Sequence, residues 1–139
     1  MKSNLKPLAL ALLIACFSFS CGSDDGGGID TNLFGTWTLT ATVLRDCANP
    51  NDNSTTNEVC DTQTCVSITM TDDLRYERVE LIRGQPQTVR GQIQIGETQI
   101  RFLPDNSTGS ELLDYQLTAS SLTLSNVTVI CTEDFRYSK

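Results

Sequence analysis

Six cysteines carry most of the chemistry available to this chain: Cys16, Cys21, Cys47, Cys60, Cys65 and Cys131. There is no histidine, which removes the commonest general base, the commonest metal ligand and every histidine-based triad. Serines and threonines are many, but no lysine other than the terminal Lys139 accompanies them in the region after residue 20, so none has a base to activate it. Two acidic pairs, Asp72-Asp73 and Glu133-Asp134, have the composition for acid–base work or calcium. Each falls at a turn or a strand start, where solvated carboxylates are the rule, and neither is assigned a role. The cysteine spacing lacks the paired Cys-x-x-Cys knuckles of structural zinc. The expectation is therefore no catalytic set, no metal and no cofactor, hence no enzyme. A net charge of -7 also repels nucleic acid.

The first two cysteines read as part of an address. Lys2 and Lys6 form a basic start, and Leu8 to Phe19 is an apolar run broken only by Ser18. That run is too short to span a bilayer and suits a signal peptide. Leu13-Ile14-Ala15-Cys16 matches a lipidation box more closely than Ser18-Phe19-Ser20-Cys21 does. Cys21 is nevertheless the better acceptor. Cutting before Cys16 leaves a very short apolar core and an odd thiol at Cys21, whereas cutting before Cys21 leaves an even set of four for an exported domain. Residues 1–20 are thus expected to be a lipoprotein signal peptide. Residues 21–32 form a glycine- and aspartate-rich tether that cannot bury anything, carrying a lipidated Cys21. The folded domain spans 33–139.

The remaining four cysteines must be positioned by that domain, where apolar residues alternate with period two and no window reads as an amphipathic helix. Eight strands are expected: Phe34–Arg45, Cys65–Thr71, Leu74–Arg83, Thr88–Ile95, Thr98–Leu103, Glu111–Thr118, Ser121–Val127 and Glu133–Ser138. Trp37, Leu39, Ala41 and Val43 would share one face of the first. A long polar loop, Asp46–Thr64, follows it. The third strand changes phase from Leu74/Tyr76 to Val79/Leu81, which predicts a bulge near Glu77-Arg78. Asp72-Asp73 reads as a tight turn, Gly84-Gln85-Pro86 as a turn, and Gly96-Glu97 as a hairpin turn of the primed type. Short connections without crossover helices give an antiparallel meander, which closes as an all-β, eight-stranded up-and-down barrel. An open β-sandwich is the alternative.

Numbering strand ends alternately puts Cys47, Cys60, Cys65 and Cys131 at one end of the meander. Two disulfides there would clamp the open end. Closure of the first strand on the eighth favours Cys47–Cys131 with Cys60–Cys65; Cys47–Cys65 with Cys60–Cys131 is nearly as good. Arg45 and Arg83 share inward parity at the same end, where a guanidinium would meet a ligand carboxylate or phosphate. The bland alternative has them in solvent or paired with Asp46 or Glu80. Tyr76 and Tyr115, on the inward parity of their strands, complete the candidate ligand set. Gly91 and Ala41 are the small inward residues, so a cavity would lie near them. Arg75, Arg90, Arg101 and Arg136 have outward parity.

Two sets of residues resemble known families. Cys21-Gly22-Ser23-Asp24-Asp25 resembles the start of surface-exported lipoproteins of Bacteroidetes-type bacteria. Leu33-x-Gly35-x-Trp37-x-Leu39, Asp73-x-x-Tyr76, and Tyr115-x-Leu117 with Leu122-Thr123-Leu124 are similar to the lipocalin-like domains of bacterial surface lipoproteins. That resemblance implies a lipocalin-like barrel plugged at its closed end by Gly35 and Trp37, with a small-ligand cavity above. It implies an outer-membrane or surface protein held by its lipid anchor. Such a protein would bind a small apolar or amphipathic ligand without catalysis, or act as a filled-barrel protein-interaction or structural module at the cell surface.

Overall fold

The computed structural model of the chain describes residues 28–139. The expected signal peptide, Cys16 and Cys21 lie outside them. Nine strands follow one another: β1 (Gly35–Arg45), β2 (Ser54–Asn57), β3 (Thr64–Met70), β4 (Arg75–Ile82), β5 (Gln85–Ile95), β6 (Gln99–Pro104), β7 (Glu111–Leu117), β8 (Ser121–Val127) and β9 (Thr132–Ser138). All pairings are antiparallel, and β1 pairs with β9 as well as β3. Eight strands, β1 and β3–β9, therefore close into a barrel, which rules out the open sandwich. Closure leaves each of the eight paired on both sides over at least part of its length.

The ninth strand is a departure from the expected long loop. β1 pairs with β3 only over Gly35–Thr38. Beyond that point the two strands part, and β2 lies on the vacated edge of β1, at Ala41–Leu44. A 3-10 turn, Pro50–Asp52, leads into it with the Asn49 side chain accepting from the Asn51 N–H. The all-polar Ser-Thr-Thr-Asn of β2 has no apolar alternation and all four residues are exposed, so periodicity cannot register it. At the other boundary, the chain is already in a 3-10 turn at Thr31–Leu33, capped by Asp30, two residues inside the expected tether.

The one irregularity recorded in the barrel pairings is not in β4. The β3–β4 register runs unbroken from Thr64↔Ile82 to Met70↔Tyr76. It is β1 that slips, between Leu39 and Ala41 opposite β9. Two residues of β1, Thr40 and Ala41, thus face one, Arg136, and every later residue changes side. Trp37 and Leu39 point inward as expected. Ala41, Val43 and Arg45 lie outside, opposite Arg136, Asp134 and Thr132. Without a bulge in β4, strict alternation from Tyr76 puts Arg78 and Glu80 inside and Val79 and Leu81 outside, the reverse of the expectation.

The turns are also adjusted. Arg83 and Gly84 both have positive φ, +53° and +73°, and form the tip; Gln85 and Pro86 are already strand. Gly96 and Glu97 are not in the left-handed region, so their hairpin is not primed. It closes through Gly96 N–H donating to Gln99 O at 2.8 Å. In the Asp72-Asp73 turn the left-handed residue is Leu74, φ +61°.

The core fills one half of the barrel. Its fully buried side chains, Leu33, Trp37, Met70, Ile93, Ile100 and Leu122, all come from strand ends or connections on the side where β1 starts. The alternating ends place all four barrel cysteines at the opposite side, joined as Cys47–Cys131 and Cys60–Cys65.

Candidate functional site

The half of the barrel beyond the core is not filled by apolar side chains. Tyr76, Arg78 and Glu80 descend from β4, Gln87 and Val89 from β5, Phe102 and Pro104 from β6, and Glu111 from β7. They surround a cavity of about 350 Å³. The register puts them on one face: Arg78 opposite Val89 and Ile68, Glu80 opposite Gln87 and Val66, and Phe102 opposite Glu111. Ile68 in turn opposes Trp37, so this face is the interior. A further pocket of about 20 Å³, room for one water, continues from Arg78, Phe102 and Glu111 to Phe135 and Tyr137.

The cavity opens because β5 outruns β6. Residues Gln85–Val89 pair with β4, but β6 pairs with β5 only from Gly91 onward. Its floor depends on Gly91. A Cβ there would lie 2.1 Å from Leu103 O and 2.6 Å from Tyr76 Cε1. Without one, the Tyr76 ring lies over β5 and meets Phe102 edge to face, with centroids 5.0 Å apart at 81°, a favoured aromatic geometry. Burial raises the Tyr76 pKa, and the negative fields of Glu111 and Asp105 raise it further. Burial likewise raises that of Tyr137. Both phenols stay neutral and can donate. Among the described residues, Arg78, Glu80 and Glu111 form no ion pair within 4 Å.

Of the four residues expected to meet a ligand, only Tyr76 lines this cavity. Arg45 is on the outer face, where it grips Asp134 and Asp46; the Thr40 bulge put it there. Arg83 sits exposed at the hairpin tip. Tyr115 belongs to the far end, where its hydroxyl donates to Gly96 O at 3.2 Å. It lines an open groove there with Ile95, Leu117 and the entering segment Gly28–Asp30. The outward arginines behave as expected: Arg75 pairs with Asp105 at 2.5 Å and Arg90 with Glu77. Arg78, Glu80 and Glu111 are the residues that sequence reasoning missed. The signal is the simple alternation Tyr76-x-Arg78-x-Glu80, masked by Val79 and Leu81, the apolar members of that strand.

Gly35 and Trp37 lie at the end where β1 starts. Trp37 is 0% exposed, and its Nε1–H donates to Leu33 O at 2.8 Å. Lys139 Nζ lies 4.5 Å from the ring centroid, a cation–π distance, and donates to Asn32 O at 2.6 Å and Phe34 O at 2.9 Å. Gly35, at φ +120°, has Lys139 Cε 3.3 Å from where a Cβ would stand. Lys139 thus ties the end of β9 to the chain entering the first strand.

On the outer face, Asp134 is only 4% exposed, not the solvated carboxylate expected of Glu133-Asp134. Burial alone would raise its pKa. Hydrogen bonds from Arg45 and from Ser125 Oγ, the latter at 2.7 Å, outweigh it and hold the carboxyl below its usual range.

No protein-family model matches the chain, and no curated protein does. Solved structures do. A lipocalin-like protein from Bacteroides uniformis superposes with a TM-score of 0.58 at 16% identity, over 78% of this chain and 98% of that one. An uncharacterized protein from Bacteroides eggerthii gives 0.56 at 13%, over 76% and 98%. At these identities the likeness is one of fold, and the fold is a lipocalin-like barrel.

Proposed function

We propose that this chain is a non-enzymatic, lipid-anchored binding protein of the bacterial cell envelope whose barrel takes up a small amphipathic molecule. The observation that carries the reading is the 350 Å³ cavity. It lies at the lower end of the volume range of small-molecule sites, and it combines apolar walls with a few convergent polar groups, as such sites do. The N-terminal signal pattern ending in Cys21 supports an anchor in the membrane. The entering segment Gly28–Asp30 lies beside Gly96 and Leu117, at the closed end. An anchor seven residues before Gly28 would therefore sit below the plug, and the mouth would face away from the membrane.

Native mass spectrometry of the full chain, purified from a membrane fraction without organic extraction, tests this. The expected spectrum shows the lipidated chain with a co-purifying small molecule that Val89→Trp, which fills the cavity, displaces. A lipidated chain with no adduct, and no uptake of short-chain amphipaths when these are added, would overturn the binding role and leave the barrel as a scaffold for a protein partner.

A further inference from the structure

We infer that the cavity is selective for zwitterionic amphipaths, ligands that carry an anionic and a cationic group on one apolar body. This rests on the reading of the barrel as a binding protein and specifies its ligand class. The cavity wall holds one guanidinium, Arg78, and two carboxylates, Glu80 and Glu111. They are close in the fold but unpaired: among the described residues none makes an ion pair within 4 Å. Arg78 is flanked in the register by Ile68 and Val89, and Glu80, two residues on, by Val66 and Gln87. Same-face neighbours on a strand stand about 7 Å apart. Both side chains are long enough to bridge that spacing, yet they do not pair with each other, so both charges are open to a ligand bearing two opposite charges a few bonds apart.

A ligand of one sign fits this wall badly. An anion gains Arg78 and is repelled by both carboxylates. A cation gains the carboxylates and is repelled by Arg78. Either leaves a wall charge without a partner, at a cost in lost hydration where the wall is half-buried, at Arg78 and Glu80. A zwitterion satisfies both signs at once, its anion on the planar fork of Arg78 and its cation between Glu80 and Glu111. The lining as a whole carries one net negative charge, which tolerates a surplus cation better than a surplus anion. Tyr76, Phe102, Val89 and Pro104 are left to meet the apolar body.

Three probes with ten-carbon chains, that of decanoate counting its carboxyl carbon, separate the possibilities: decylphosphocholine, decanoate and decyltrimethylammonium, titrated calorimetrically below their micellar concentrations. The expected result is a Kd for decylphosphocholine about tenfold or more below that of either singly charged probe. Arg78→Met should bring decylphosphocholine to the level of decyltrimethylammonium, and Glu111→Gln with Glu80→Gln to the level of decanoate. Trp37 emission, at the closed end of the barrel, reports that each variant is folded, and Arg78→Gln replaces Arg78→Met if the latter is not. Equal binding of the three probes, or tighter binding of a singly charged one, overturns the inference and leaves the binding reading standing. Binding of none overturns both.

Discussion

Arg45 and Asp134 are joined by two hydrogen bonds, Nε–Oδ2 at 2.7 Å and Nη2–Oδ1 at 3.1 Å, on the outside of the seam that closes the barrel. Arg45 ends β1 and Asp134 lies on β9, so the pair locks the two strands whose meeting makes the sheet continuous. The Arg45 side chain is 45% exposed and that of Asp134 6%. The cost of breaking the pair therefore falls on the carboxylate, left buried with Ser125 as its remaining partner.

Arg45→Met should destabilise the domain by about 2 kcal/mol at neutral pH, less than a fully buried pair costs because the guanidinium is half in solvent. The sign of the pH dependence follows from Asp134. Its pKa in the folded protein is depressed, so its contribution is present above the unfolded value of about 3.9 and is lost as pH falls through the folded value. The difference between wild type and variant should thus be full at pH 7 and smaller at pH 3, where the carboxyl has begun to protonate. Urea unfolding at both pH values reads this out, and an undiminished difference at pH 3 would refute the ionic account.

Trp37→Ala should cost about 3–5 kcal/mol, since the ring is fully buried, spends its N–H on Leu33 O and carries Lys139 on its face. The wild-type indole should also resist quenching by iodide. A shift in midpoint near zero would mean that the closed end is held by other residues.

The entry into the barrel, with Leu33, Gly35 and Trp37, was legible because it reads one way: apolar alternation, a glycine where only glycine fits, and a large ring to bury. The cysteine pairing was nearly legible for a topological reason, since an even meander brings all four to one end. The cavity was not. Two strands depart from the phase that side-chain type implies, because backbone count sets the facing of a strand. In β4, Val79 and Leu81 face outward although apolar, and Arg78 and Glu80 face inward although charged. A cavity walled by charged side chains needs that inversion, so an interior built this way hides from hydrophobic periodicity. In β1 the alternation Trp37, Leu39, Ala41, Val43 is unbroken in sequence. The slip at Thr40 appears only opposite β9, because a bulge is a property of a pair of strands. Ala41 and Val43 are still buried, on the outer face, which keeps their composition ordinary for either side.

Replacing Cys21 by serine in the full chain should abolish incorporation of an alkyne-tagged fatty acid and release the protein from the membrane fraction. Replacing Cys16 should not. With Cys47–Cys131 and Cys60–Cys65 both formed, the barrel uses all four of its thiols, so a mature chain cut before Cys21 has its one remaining cysteine under lipid. Label that persists in Cys21→Ser and vanishes in Cys16→Ser would move the cleavage site.

The two disulfides should differ in worth because they close loops of different size. Cys47 and Cys131 are 84 residues apart and Cys60 and Cys65 only 5. In the chain-entropy description the first should contribute about 4–5 kcal/mol and the second about 2 kcal/mol. The long-range bridge lies beside the Ala48 N–H bond to Ile130 O, 2.8 Å, near the β1–β9 seam and away from the β4–β7 wall that lines the cavity. Cys47→Ala with Cys131→Ala should therefore lower the unfolding midpoint at least twice as far as Cys60→Ala with Cys65→Ala, and leave the affinity for decylphosphocholine within about twofold of wild type. Affinity that falls together with stability would show that the cavity wall and the seam open as one unit, and that the clamp holds the site as well as the fold.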